Sequence, residues 1–263
     1  MEPALAASCG HAALDVFVRP RVAILSTGDE LVPIERAPAP GQIRNSSAPM
    51  LAAMVTQAGG EPWILPIAAD TAEALDAALD QAAEADMLLI TGGVSAGKFD
   101  LVEPALERAG ARFHFTGVRI QPGKPLVFGQ MPATNTDLVQ EKGRTQCCFF
   151  GLPGNPVSSA VTFLLFGAPV VAALAGRNDS LPRFALARLG STPDRHARPG
   201  LTRFLPAVCN FAASAERLPE VALVAWQGSG DLAALGRANC FLVLPEDDRE
   251  PLARGAMARI LLL

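Results

Sequence analysis

Apolar residues in the first two thirds of the chain fall into two alternating kinds of run: short continuous blocks, and longer stretches with a period near that of a helix. "RVAILS" (Arg21 to Ser26), "PWILPI" (Pro62 to Ile67) and "DMLLIT" (Asp86 to Thr91) are blocks of the first kind and read as buried strands. Between them, "SSAPMLAAMVTQAGG" places Ser46 or Ser47 to cap a helix and Gly59 to stop it. "DTAEALDAALDQAAEA" repeats the pattern with Leu75, Ala78, Leu79 and Ala82 on one face, and a third helix starts near Asp100 and stops at Gly110. Strands alternating with helices of this length predict an α/β fold: a mostly parallel sheet with helices on both faces.

One more helix is expected from Pro156 to Leu174, followed by the polar linker "AGRNDSLPRF". The pattern then changes. "FALARLG", "RFLPAVCNF", "VALVAW", "CFLVLP" and "ARILLL" carry no long helical period between them and predict a small all-β sandwich or barrel. The expected division is a lead-in over residues 1–20, an α/β domain over 21–180 and a β-barrel-like domain over 181–263. "GQMPATNTDLVQEKGRTQ" reads as a hairpin loop between "LVFG" and "CCFF".

Composition fits this division. A chain of 263 residues, 50% hydrophobic and 18% charged, can fill two ordinary cores. A formal net charge of −4 with scattered basic residues argues against nucleic acid. Five cysteines without a C-x-x-C pair suggest neither a disulfide framework nor a zinc knuckle, so a reducing cytoplasm is expected. The N-terminus lacks a secretory pattern and no apolar stretch long enough to span a membrane is expected, which predicts a protein without a membrane partner.

Open parallel sheets bind ligands at the carboxyl ends of their strands. Three predicted strands run there into carboxylates: Asp29 and Glu30 in "STGDEL", Asp70 in "PIAAD", and Asp100 in "TGGVSAGKFD". Converging, they could hold Mg²⁺ through a few oxygens. Asp70 with Glu73 also fits a capping box, and Asp100 fits an N-cap; Glu30 has no such structural role. The loop Thr91 to Gly97 has glycines that let backbone N–H groups approach phosphate oxygens, although a plain βα turn has the same composition. It matches neither G-x-G-x-x-G nor G-x-x-x-x-G-K-[ST]. In "GLPGNP", Asn155 can cap, Pro156 suits the first helical position, and the bared backbone at a positive helix end reads as an anion cradle or as a rigid loop. Lys124, held between glycine and proline, can act as a point charge for phosphate.

"STGDEL", "GQIRNSS", "TGGVSAGKFD", "QPGKPLVFG", "GLPGNPVSSAVTF" and "GRANCFLVLPE", in this order, resemble molybdopterin molybdenumtransferase, the family that inserts molybdate during molybdenum-cofactor synthesis. The resemblance runs from about Ala13 onward and implies a molybdopterin-binding α/β domain followed by a β-barrel-like domain. It also implies Mg²⁺, adenylylated molybdopterin and molybdate as ligands, with AMP as leaving product. The family's acidic positions fall on Glu30, Asp70 and Asp100, its glycine loop on Gly92, Gly93, Ser95 and Gly97, and its proline turn on Pro153 and Pro156. Thr27, Gly28, Lys124, Gly154 and Asn155 complete the expected substrate-binding set, with Ser229 in "QGSGD" from the second domain.

Departures from the family are specific. "NSS" (Asn45 to Ser47) stands where an Asp-Ser/Thr-Asn triplet is common, and Gln121 and Gly117 stand where some members carry lysine. The family's enzymes also carry two further N-terminal domains with carboxylates supplied across a dimer. The resemblance therefore implies a C-terminal portion, acting as a homodimer or with a chain that supplies those domains. Two other readings remain: a catalytically silent pterin-binding or scaffold protein, and a molybdopterin adenylyltransferase, against which the second domain speaks.

Overall fold

A computed structural model describes residues 2–93, 101–134, 143, 145–192, 200–211, 218–246 and 252–263. The first strands are β1 (Arg21–Ser26), β2 (Leu31–Val32), β3 (Ile43–Arg44), β4 (Glu61–Ile64) and β5 (Met87–Thr91). Next come β6 (Arg112–Phe115), β7 (Ile120–Gln121), β8 (Val127–Pro132) and β9 (Gln146–Leu152). The remainder of the chain adds β10 (Phe184–Leu189), β11 (Thr202–Asn210), β12 (Glu220–Leu223), β13 (Cys240–Leu244) and β14 (Met257–Leu262). The helices are α1 (Glu2–Ser8), α2 (Ser47–Ala58), α3 (Ala72–Ala82), α4 (Val102–Arg108), α5 (Pro156–Thr162), α6 (Ala168–Leu174) and α7 (Leu232–Arg237).

The first sheet has the order β4-β1-β5-β9-β8-β6. Its first four strands are parallel, and the β8–β9 and β6–β8 pairs are antiparallel. Residues alternate across it with period two. Ala23, Leu25, Leu88, Ile90 and Phe149 face one core with Leu75 and Leu79 of α3. Their sequence neighbours Val22, Ile24, Leu89 and Phe150 face the other, with Leu51 and Val55 of α2 and with Phe163. Burial on both faces explains why β1 and β5 are continuous apolar blocks rather than alternating ones.

The second sheet closes on itself. Its order is β12-β10-β14-β13-β11, and β11 also pairs with β12, which makes a five-stranded barrel. A sixth strand comes from the first half of the chain: β7 pairs with β11 through Ile120↔Thr202 and Gln121↔Arg203. The segment between β6 and β8 thus leaves the first sheet, touches the barrel and returns. One short helix, α7, interrupts the barrel strands where only β structure was expected.

Several local expectations need correction. Helix α2 stops at Gly59, left-handed at φ 96°, as read. Its start is capped by neither serine: Asn45 Oδ1 accepts the Ala48 N–H at 3.2 Å. The cap of α3 is Thr71, which accepts from the Ala74 N–H at 3.2 Å, so Asp70 is not the capping residue. Asn155 precedes α5 without a side-chain cap bond, although Pro156 does occupy the first turn. The hairpin β8–β9 forms, and residues 135–142 and 144 of its connection lie outside the described residues, as do Ser95, Gly97 and Asp100.

The expectation of no long apolar stretch also fails. Pro156–Leu174 is a 19-residue segment long and apolar enough to cross a membrane by length and composition, yet 56% of its most apolar window is buried inside the protein. Val157, Ala160 and Val161 pack with Phe204, Phe241 and Leu261 of the barrel, while Phe163 and Val171 pack under the first sheet. A π-turn over Phe163–Gly167 separates α5 from α6. It follows from Pro169, which has no N–H to give to the preceding turn.

Phe149 is fully buried and meets Phe113 edge-on, with ring centroids 5.6 Å apart. Phe149→Ala should lower the free energy of unfolding by about 3–5 kcal/mol, measured by chemical denaturation.

Candidate functional site

The register β1, β5, β9 brings Ser26, Thr91 and Leu152 side by side, so three loops leave the sheet from one edge. These are the loops "STGDEL", "TGG" and "GLPGNP". Two hydroxyls tie the strand ends together, Ser26 Oγ and Thr91 Oγ1 at 2.9 Å, both buried. The loops then touch through glycine. Gly92 has φ 93°, and a Cβ there would lie 2.4 Å from the Thr27 carbonyl oxygen. A Cβ on Gly154 would lie 3.6 Å from the Cα of Gly92. Glycine is required at the first of these positions on both backbone and steric grounds.

The carboxylates gather on the first loop. Glu30 folds back over Gly28, whose missing Cβ would stand 2.6 Å from Glu30 Oε2. Asp70 reaches the same loop from its connection after β4: Thr27 Oγ1 donates to Asp70 Oδ1 at 2.6 Å, and the Asp70 N–H donates to Asp29 Oδ1 at 3.1 Å. Asp29, Glu30 and Asp70 are all exposed. Among the described residues no group of three His, Cys, Asp or Glu side chains forms a metal cage. Mg²⁺ is commonly held by one or two carboxylates together with waters and ligand phosphates. Glu30 and Asp70, both exposed and with one Asp70 oxygen left by the Thr27 bond, are the donor type for an ion shared with a bound phosphate rather than one enclosed by protein.

The third loop faces two ways. Gly154 lies against Gly92, while Pro153 and Asn155 line a cleft of about 480 Å³ between the sheet domain and the barrel. Lys124, Arg203, Trp226 and Ser229 line the same cleft. Arg203 is only 5% exposed and Lys124 is exposed, so the cleft combines a buried and an exposed cation. Gln121 Oε1, also at this cleft, is buried without a hydrogen-bond partner among the described residues. The helix start expected to cradle an anion is partly occupied by the protein: the Val157 N–H donates to the Ser229 carbonyl at 3.1 Å. The Ser159 hydroxyl donates to the Pro153 carbonyl and stiffens the turn from behind.

Ser229 is held by its own loop. Asp231 accepts the Ala234 N–H at 2.9 Å and the Gln227 N–H at 3.0 Å, and these donors hold its carboxyl below the usual carboxylate range. Cysteine chemistry is absent from this arrangement. Burial pushes the Cys240 thiol up to about 12 and raises that of Cys147 as well, so neither is a thiolate at neutral pH.

Sequence reading placed Thr27, Gly28, Glu30, Asp70, Gly92, Gly93 and Gly154 at one edge, and that is where they stand. Lys124, Pro153, Asn155 and Ser229 belong to the adjoining cleft instead. Pro156 lies just behind, in the first turn of α5. Arg203 and Trp226 were missed. The only signal for Arg203 was an arginine opening an otherwise apolar strand; for Trp226 it was a tryptophan directly before "QGSGD".

Comparison with known proteins gives concordant matches. Residues 23–173 match the family described as "Probable molybdopterin binding domain", and residues 188–263 match "MoeA C-terminal region (domain IV)". A molybdopterin molybdenumtransferase from Nostoc sp. is 41% identical over 162 residues, covering 61% of this chain and 35% of the relative. One from Bacillus subtilis is 32% identical over 247 residues, covering 94% of this chain and 53% of the relative. A solved molybdopterin biosynthesis moeA protein from Pyrococcus horikoshii superposes with a TM-score of 0.75 at 29% identity, covering 98% of this chain and 58% of that one. The chain spans about half the length of the longer-matched relatives.

Two outcomes follow from the glycine contact and the loop cap. Gly92→Ala should add an overpacking cost of about 1–3 kcal/mol to the left-handed backbone penalty. Gly41→Ala, at φ 84° with nothing within 4 Å of the new Cβ, should show the backbone penalty of about 1–2 kcal/mol alone; thermal unfolding compares the two. Asp231 has a lowered folded pKa, so its contribution is complete above the unfolded value of about 3.9 and is lost as pH falls through the folded value. Hydrogen exchange at Val157 should therefore stay slow at neutral pH and accelerate, after correction for intrinsic rates, only below about pH 4.

Proposed function

The chain belongs to the molybdopterin-binding domain family, with a MoeA-type domain IV behind that domain, and from this premise we propose that it works in molybdenum-cofactor synthesis as a molybdopterin molybdenumtransferase. The specific step is Mg²⁺-dependent insertion of molybdate into adenylylated molybdopterin with release of AMP. Because the chain covers only part of its relatives, their full activity is a proposal for this chain. The observation that carries it is the position of the "GLPGNP" loop as a shared wall, with an acidic edge on one side and a cationic cleft on the other.

Such a division suits a substrate that joins a phosphoanhydride to a second oxyanion. Glu30 and Asp70 would hold the metal, with Asp100 as the family's third acidic position outside the described residues. Bound there, Mg²⁺ supplies Lewis-acid polarisation of the phosphoanhydride. Gly92 and Gly93 would offer backbone N–H groups to phosphate oxygens, while the side where a Cβ would stand is filled by Thr27 and Val102. Lys124 and Arg203 neutralise an oxyanion in the cleft, and Arg203 does so from a position with little water. Trp226 offers a flat apolar wall to the pterin ring. None of these roles requires a cysteine or histidine to move a proton.

AMP release from adenylylated molybdopterin should depend on both molybdate and Mg²⁺. Glu30→Gln and Asp100→Asn should weaken Mg²⁺-dependent ligand binding by about 10- to 100-fold with the thermal midpoint unchanged. Lys124→Ala should weaken oxyanion binding by about tenfold in isothermal titration. Pterin binding without AMP release would favour a scaffold protein, and ATP consumption with free molybdopterin would favour an adenylyltransferase.

A further inference from the structure

Asp70 lies in an exposed connection, where a carboxylate ordinarily samples several rotamers. One of its oxygens is nevertheless fixed, because Thr27 Oγ1 donates to Oδ1 at 2.6 Å. Thr27 is itself held through both its backbone and its methyl group. Its N–H donates to the Thr91 carbonyl at 3.0 Å, and it bridges Ala68 in parallel, with the Ala68 N–H donating to the Ser26 carbonyl at 2.9 Å. Its methyl carbon packs against the glycine loop: a Cβ on Gly93 would lie 3.3 Å from it, and one on Gly92 3.5 Å. A β-branched side chain has few χ1 choices, and the one it adopts here points the hydroxyl at Asp70. The Asp29 carboxylate completes the clamp by accepting the Asp70 N–H.

We propose that Thr27 is a positioning residue that presents the free oxygen of Asp70 to a divalent cation, acting through Asp70 and not by contact with the ligand. At 3% exposure its hydroxyl is almost out of reach of a bound molecule. The inference rests on the reading of Asp70 as a metal-holding carboxylate. It adds a link between the two halves of the site, since displacement of the Gly92–Gly93 loop moves the Thr27 methyl and with it the donor that aims Asp70.

The test is Mn²⁺ binding to the purified protein in the presence of AMP, which supplies a phosphate to share the ion, followed by electron paramagnetic resonance with thermal unfolding recorded in parallel. Thr27→Val keeps the shape and removes the donor, and should weaken Mn²⁺ binding by about tenfold. Thr27→Ser keeps the donor and should bind near the parent value. In an Asp70→Asn background, Thr27→Val should have no further effect. If Thr27→Val fails to fold, the contrast between Thr27→Ser and Thr27→Ala carries the same comparison. An Asp70→Asn variant that binds Mn²⁺ normally would overturn the metal-site reading and the proposal together. Asp70→Asn weakening with Thr27→Val unchanged would overturn the proposal alone. An equal loss from Thr27→Val in both backgrounds would mean that Thr27 touches the ligand directly.

Discussion

The helix segment Pro156–Leu174 is buried from two sides, and the geometry of the whole molecule depends on it. Its first turns supply Val157, Ala160 and Val161 to the core shared with the barrel, and its later turns supply Phe163 and Val171 to the core under the sheet. No rotation of this segment keeps both contacts. The relative placement of the two domains at the cleft lined by Pro153, Asn155 and Ser229 follows chiefly from this hydrophobic burial. The Val157–Ser229 hydrogen bond then fixes the position at the cleft's edge, where apolar contact runs out.

The polar edge is organised by the absence of side chains as much as by their presence. Gly92 and Gly154 let three strand ends approach until backbone meets backbone, and Gly28 leaves room for the Glu30 carboxylate to fold inward. With the Ser26 and Thr91 hydroxyls paired beneath, the edge is a stiff platform on which Glu30 and Asp70 stand. Cations are kept on the far side of the "GLPGNP" turn. Acidic and basic groups are thus segregated on the two sides of one loop.

Much of this was legible in the sequence because the physics concerned is local. Continuous apolar blocks follow from burial on both sheet faces, and Gly59 marks a helix end since few other residues adopt its backbone angles. What escaped depends on partners distant along the chain. Asp70 looked like a helix cap because Glu73 follows at the right spacing, whereas its actual partner Thr27 lies 43 residues away. The α2 cap is the exception, a local contact in which Asn45 rather than either serine accepts the Ala48 N–H. The cleft was half visible: Lys124 stands out between glycine and proline, while Arg203 and Trp226 become part of it only when the barrel closes against the sheet.

The strand Ile120–Gln121 belongs by sequence to the first domain and by hydrogen bonding to the second. The two regions recognised as separate families are therefore not interchangeable modules. A gene that lost its last 76 residues would leave Ile120, Val157 and Val161 facing water and an unpaired backbone edge beside them. Recombination that exchanged the barrel would have to preserve the face of β11 that receives this strand. Evolutionary traffic between these halves is restricted to barrels that already carry a matching seat, which couples the histories of two parts that sequence comparison treats as independent.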